Sequence, residues 1–310
     1  EPTASTRSRV WKSQGGDVPK ELGYDVSDES RNYVIPGMQH KYRETALAVI
    51  SQDCHVTCDW CFRKRLFEGE DLEHDAIIDP AEALAYIREH SEIRSVLMTG
   101  GDALLAAPEL VREMLDGIAE MKHIHNVRFG TRALVHDPYF YAARLPNHYC
   151  KTVYVVLHIL RPEELREPLR DVVDSFPRYQ FLVQTPLLRG INDDSQLLAD
   201  LWHKCCEFRI KPYYVFQCRP VKGNEKYLLT FKEGHEIFAG AQNRCTGVVK
   251  PARYVMSSRS GKWEIVGRDS GEIILRCHQG ADPNMAGTLR RVSANLHWWD
   301  LPRPHENPDS

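Results

Sequence analysis

Thr45-Ala-Leu-Ala-Val-Ile-Ser-Gln-Asp-Cys54-His55-Val56-Thr57-Cys58-Asp59-Trp60-Cys61 is the stretch on which the reading of this chain turns. Its first part, Thr45–Ser51, is a short apolar run containing β-branched Val49 and Ile50, the pattern of a buried strand. Three of the chain's nine cysteines follow at once, inside eight residues. In parallel α/β folds the carboxyl ends of strands are where active sites form. Three thiolates on one tight loop can grip a single inorganic centre. A tetrahedral zinc site needs four ligands, usually from two knuckles, and no second knuckle is present. A four-iron cluster held by three cysteines leaves one iron without a protein ligand, open to a substrate or cofactor. The bland alternatives are three packing cysteines, or zinc held with the help of His55.

The strand is the first of a series. Similar runs occur at residues 93–99, 127–131, 152–159, 179–188 and 209–218, with starts 25 to 48 residues apart. That spacing leaves room for a crossover helix each time. Asp79-Pro80 reads as an N-cap with Pro at the first helical position, and Pro108 opens a second helix with Leu110, Met114, Leu115 and Ile118 on one face. Pro162 and Asp193-Asp194 open two more, with acids at the positive end. Strand and helix in alternation predict a parallel sheet with right-handed crossovers. Six strands are two short of a closed eight-stranded barrel, so a partial barrel and an open doubly wound sheet both fit. From Pro251 the pattern changes to short strands at 252–257, 263–266 and 272–277, joined by Ser260-Gly261-Lys262 and Asp269-Ser270-Gly271 turns, a small antiparallel addition. The division expected is an N-terminal extension (1–44), a barrel (45–250) and a C-terminal β region with tail (251–310). The extension reads as extended or partly helical, with Gly15-Gly16, Pro19 and Pro36. The tail from Gln279 reads as loop packing through Trp298, Trp299 and Leu301.

Composition narrows the function classes. The chain has 310 residues, enough for a sizeable core, and a net charge of −3. With no basic excess, nucleic acid is not expected as a partner. No apolar run reaches bilayer length, and Glu1–Gly16 lack a signal-peptide core, so the expectation is a soluble, cytoplasmic protein with no membrane partner. An odd number of cysteines in such a chain argues against a disulfide framework.

Two further motifs lie at strand ends. Met98-Thr-Gly100-Gly101-Asp102 follows the second strand, where paired glycines permit close backbone approach and the acid suits an ammonium group. Arg128-Phe-Gly-Thr-Arg132 follows the third. The C-x3-C-x2-C spacing with an aromatic before the last cysteine, followed by Gly-Gly-Asp, resembles the radical S-adenosylmethionine (SAM) enzymes. That resemblance implies a [4Fe–4S] cluster on Cys54, Cys58 and Cys61, with SAM bound on the open iron and beside Gly100, Gly101, Asp102 and Arg132. Reductive cleavage of SAM would give methionine and a 5′-deoxyadenosyl radical. Such an enzyme needs a reducing partner of the flavodoxin or ferredoxin kind.

Four segments narrow the resemblance: His40-Lys-Tyr-Arg-Glu44, Cys61-Phe-Arg-Lys-Arg-Leu-Phe67, Val183-Gln-Thr-Pro-Leu-Leu-Arg-Gly-Ile-Asn-Asp193 and Lys211-Pro-Tyr-Tyr-Val-Phe-Gln217. Over about residues 35–280 the chain is similar to the lysine 2,3-aminomutase family. That implies an α/β fold with a partial (βα)6 barrel, a homodimer, and pyridoxal phosphate (PLP) as the group on which an amino nitrogen moves from the α to the β carbon. Arg63 matches the arginine that pairs with the substrate α-carboxylate, and its fork suits that task. Gln184 matches a glutamine beside the PLP ring, and Tyr42 a tyrosine of the same pocket. Lys262 falls, with one deletion, where the family has a glycine run ending in the PLP-binding lysine. As ordinary turn sequence, Ser-Gly-Lys is equally a hairpin lysine.

The departures bear on the substrate. The glycine run is reduced to Gly261, Thr45 and Lys41 stand where the family has phosphate-binding arginines, and the zinc-binding C-terminal cysteines of the founding enzyme are missing. Of the two aspartates that grip the lysine ammonium, one is replaced by Arg219 and the other by Val255 or Met256. A lysine side chain would meet Arg219 as a like charge. Arg219 either binds an anionic group or pairs with Glu225. The expected function is a PLP-dependent radical SAM 2,3-aminomutase acting on a small molecule, an amino acid other than lysine. The alternative is a PLP-independent radical SAM enzyme that epimerises, dehydrates or dehydrogenates a polar small molecule. A non-enzymatic metal-stabilised module would leave Gly100, Gly101 and Asp102 without a role.

Overall fold

The computed structural model describes residues 22–68 and 75–298. Twelve strands form one sheet in chain order. β1 (Tyr33–Ile35), β2 (Met38–Tyr42) and β3 (Thr45–Ser51) pair antiparallel. The sheet then runs parallel through β4 (Ser95–Gly100), β5 (Asn126–Thr131), β6 (Thr152–His158), β7 (Gln180–Leu187), β8 (Lys211–Gln217) and β9 (Arg253–Ser258). β10 (Gly261–Asp269), β11 (Glu272–Gly280) and β12 (Leu289–Ser293) return to antiparallel pairing. β1 and β12 do not meet, so the sheet is open, a partial barrel.

Alternation along the parallel strands makes two faces. Val96 and Met98, Val127 and Phe129, and Val153, Val155 and Leu157 are buried in the main apolar core. Ala83, Leu84 and Ile87 of helix Pro80–Glu89, and Met114, Leu115 and Ile118 of helix Pro108–Ala119, belong to the same core. The alternate positions Leu47, Leu97, Arg128, Val156, Gln184 and Phe216 face the concave side and line a cavity. The helix starts follow local chemistry. Asp79 accepts hydrogen bonds from Ala81 N at 2.8 Å and Glu82 N at 3.1 Å, and Asp194 from Leu197 N at 2.8 Å. Caps of this kind contribute ~1 kcal/mol each.

The structure corrects several local expectations. The strand at 252–257 does form the expected antiparallel hairpin with β10, but its other edge pairs in parallel with β8, so it is also a seventh parallel strand. Helix Phe231–Gln242, opened by a Thr230/Glu233 capping box, supplies the crossover that parallel pairing needs. The tail is not all loop, because Leu289–Ser293 adds β12 to the edge of β11. The end of the lead-in is a hairpin turning at Gly37 (φ 75°), where a side chain would strike Ala76 and Ile78. Pro162 opens only a short 3-10 turn, and the helix proper is Glu167–Ser175. Trp298 is buried as expected. Trp299, Leu301, Gly15-Gly16 and Pro19 lie outside the described residues. Among the described residues no helix is long and apolar enough to cross a membrane.

Candidate active site

The cysteine loop leaves β3 and is tied down by the end of β4. Gly101 N donates to Ser51 O at 2.7 Å and Asp102 N to Asp53 O at 2.8 Å. A Cβ on Gly100, whose φ is 124°, would strike Ser51 O, and one on Gly101 would strike Asp53 O. The paired glycines are therefore what lets the two segments touch. Asp102 is buried, and its carboxylate is clasped by three backbone amides: Leu104 N at 3.1 Å, Arg132 N at 2.6 Å and Ala133 N at 2.7 Å. The acid expected to meet an ammonium is thus engaged in joining the ends of β4 and β5.

Cys54, Cys58 and Cys61 are free, partly buried, and open onto the cavity. Cys61 N donates to Cys58 O at 2.9 Å, and Arg63 N to Cys61 Sγ at 3.4 Å. Burial pushes the Cys54 thiol up to about 12 and the Cys58 thiol up to about 11, and raises Cys61. The neighbouring thiols add to the rise at Cys54 and Cys58. A positive centre reverses that preference, because thiolate is the ligating form. His55 meets Tyr141 Oη at 2.9 Å. Among the described residues no three His, Cys, Asp or Glu side chains are arranged to hold a single metal ion. A four-iron cluster makes a different demand, since each thiolate binds its own iron, and three clustered thiols on one loop fit it.

Around the loop, polar groups satisfy one another. Trp60 Nε1 donates to His158 Nε2 at 3.2 Å, and burial pushes that imidazole down to about 3, so it stays a neutral acceptor. Arg132 pairs with Glu164 at 3.2 Å and lies over the Trp60 ring. Arg63 is buried. Its Nη1 donates to Thr99 Oγ1 at 3.2 Å, and its Nε lies 3.5 Å from Glu29. Glu29 also meets Arg219 at 2.5 Å and Arg65 at 3.3 Å. Burial acts to raise its carboxyl, and the three arginines override that and hold it well below the usual carboxylate range. The expected alternative partner of Arg219, Glu225, accepts instead from Gly223 N.

The far side of the cavity is different. Lys262 Nζ sits 4.4 Å from the Tyr214 ring centroid, with Tyr42 and Phe216 next nearest. Burial first, then the charges of Arg128, Arg219 and Lys41, push the Lys262 amine down to about 7. Arg128 Nε and Nη2 are buried without a hydrogen-bond partner among the described residues. Burial lowers its affinity for a proton, as for any desolvated cation.

The residues singled out in the sequence therefore converge. Cys54, Cys58, Cys61, Gly100, Gly101, Asp102, Arg132, Tyr42, Arg63, Gln184, Arg219 and Lys262 all line one cavity of about 360 Å³. Sequence reasoning missed Glu29, His158 and the orphaned guanidinium of Arg128. For Arg128 a signal existed, namely a lone charge inside an apolar strand, in step with Gly130 on the inward face.

No family model matches the chain. It is 36% identical over 290 residues to an Aquifex aeolicus protein provisionally assigned as an L-lysine 2,3-aminomutase, covering 89% of this chain and 77% of that one. It is 28% identical over 273 residues to the L-lysine 2,3-aminomutase of Clostridium subterminale, and 27% over 272 residues to the glutamate 2,3-aminomutase of Clostridioides difficile. These two alignments take in 83% of this chain and 64% and 63% of those enzymes, so the chain spans somewhat less than two thirds of their length. The chain is a member of the lysine 2,3-aminomutase family, and its open barrel carries the three-cysteine loop at the end of the first parallel strand.

Proposed function

We propose that the protein is a PLP-dependent radical SAM 2,3-aminomutase acting on an amino acid other than lysine. The observation that carries this reading is the convergence of the cysteine loop, Arg63 and Lys262 on a single cavity. In this reading Cys54, Cys58 and Cys61 hold a [4Fe–4S] cluster. The cluster and SAM supply a 5′-deoxyadenosyl radical, and PLP supplies a group that can carry the migrating nitrogen.

The chain's own residues do the rest. Gly100 and Gly101 bring backbone to the cavity wall beside Asp102, and together the three suit the amino group of SAM. The Trp60–His158 contact fixes the loop that presents the three thiols. Arg63, pinned by Thr99 and Glu29, offers its remaining donors to the substrate α-carboxylate. Lys262, with its proton affinity lowered toward neutrality, has a free amine to join the PLP aldehyde. Arg128 brings an uncompensated guanidinium to the same end of the cavity, where a phosphate dianion satisfies it. This cation makes up for Thr45, which stands where the family has an arginine. A flavodoxin- or ferredoxin-type donor and a homodimer complete the reading.

Borohydride treatment of PLP-loaded protein tests it. A pyridoxyl group should be fixed on the peptide bearing Lys262 and absent from Lys262→Ala. Protein that forms 5′-deoxyadenosine yet never retains PLP would favour the PLP-independent alternative.

A further inference from the structure

The acids and bases of the cavity point to a particular class of substrate. Among the described residues only two acidic side chains line it, Glu29 and Asp102. Asp102 is held by three backbone amides, and Glu29 by Arg63, Arg65 and Arg219. A substrate side chain ending in an ammonium would enter without a free counter-charge, against Arg63, Arg128 and Arg219. Bringing a cation out of water under those conditions is strongly unfavourable.

An anionic side chain meets the opposite situation. Arg63 and Arg219 have one acidic partner between them among the described residues, the Glu29 carboxylate. That carboxylate is shared again with Arg65, which also pairs with Asp75 at 2.6 Å and Asp25 at 3.4 Å. Arg219 uses Nη1 on Glu29, leaving Nη2 and Nε as further donors. Both guanidinium groups rest on the ring of Phe62, with their central carbons 5.0 Å (Arg63) and 4.0 Å (Arg219) from its centroid. The ring limits their freedom and holds both guanidinium groups against one side chain, so that both face the same part of the cavity. The seating of Glu29 between them shows that the pair accepts a carboxylate.

We infer that the substrate is an α-amino acid with a side-chain carboxylate, of the aspartate or glutamate type, whose α-carboxylate Arg63 binds and whose side-chain carboxylate Arg219 reads. This inference rests on the aminomutase reading above and narrows its substrate. Glu29 orients Arg219 and limits its net charge.

Binding to the complete but unreduced enzyme tests this without turnover. The protein carrying its cluster, PLP and SAM is titrated calorimetrically with glutamate, aspartate, alanine and lysine. One of the two acids should bind at least ~10-fold tighter than alanine, and lysine more weakly than alanine. Arg219→Gln should reduce the acid-over-alanine preference ~10- to 100-fold, and Arg219→Lys should restore part of it. Circular dichroism of both variants controls for folding. Lysine binding as tightly as the acids would overturn the inference, and so would Arg219→Gln weakening alanine and the acids alike. Reduced enzyme separates the two levels of the argument. If 5′-deoxyadenosine forms with lysine or a neutral amino acid but with neither acid, this inference alone is lost. If SAM is never cleaved, the aminomutase reading falls with it.

Discussion

The two ends of the cavity are built on opposite principles. At the cysteine end the charged and aromatic groups complete one another, Asp102 with three amides, Trp60 with His158 and Arg132 with Glu164, and only the neutral His136 Nε2 lacks a partner among the described residues. At the Lys262 end they do not. Arg128 is partly orphaned, and Lys262 is ringed by Arg128, Arg219 and Lys41, which lower its affinity for a proton. The first end is a rigid frame whose loop holds its shape through its own hydrogen bonds. The second carries uncompensated positive charge, which a bound phosphate would stabilise. The difference teaches that in this chain the cysteine end is fixed mainly by hydrogen bonds, while the Lys262 end is governed by electrostatics.

The largest effect is expected at the cysteine end. Cys58→Ala removes one of the three proposed cluster ligands, so iron retention should be lost and 5′-deoxyadenosine formation should fall ~1,000-fold or more. Wild-type iron content in that variant would refute the assignment of the loop. At the other end, Lys262→Ala should abolish borohydride-stable PLP attachment while iron content stays at the wild-type level. If both quantities fell together, the two ends would not be independent.

A smaller effect sharpens the electrostatic half. Lys262 is pushed down to about 7, so its amine is neutral above that pH and protonated below it. The rate of covalent PLP capture should therefore level off above about pH 7 and fall ~10-fold for each unit below it. A rate still climbing toward pH 10 would mean that Lys262 titrates like an exposed lysine. The smallest effect is expected at the hydrogen bond behind the loop. His158→Ala leaves the Trp60 indole without its acceptor, a loss of ~1 kcal/mol of stability, or about a fivefold drop in the folded-to-unfolded ratio, read from the midpoint of chemical denaturation.

The cysteine end was the more legible in sequence because its chemistry is local. Cys54, Cys58 and Cys61 lie within one turn-rich loop, and Gly100-Gly101 announces close backbone contact by residue type alone. The strand rhythm similarly located β3 to β8 to within about two residues. Periodicity says where a strand lies but not which neighbours it joins, so the sequence shows the hairpin of β9 with β10 but not its parallel pairing with β8. The exposed, arginine-rich β12 carries little of the apolar alternation that marks a strand. Glu29 escaped notice for a related reason: its partner Arg219 is 190 residues away, and only the fold brings them together. Arg128 was visible as a lone charge in an apolar strand, but its missing partners could be seen only in three dimensions.

The central claim is that radical and PLP chemistry meet on one substrate in one cavity. It is tested most directly by isotope transfer. Anaerobically reconstituted enzyme with PLP, SAM and reductant is given amino acids deuterated at the β-carbon, and the 5′-deoxyadenosine is weighed by mass spectrometry. Deuterium should appear in the deoxyadenosine of the wild-type enzyme and disappear in Lys262→Ala. Equal transfer by both proteins, or unlabelled deoxyadenosine from the wild type with every amino acid, would contradict it.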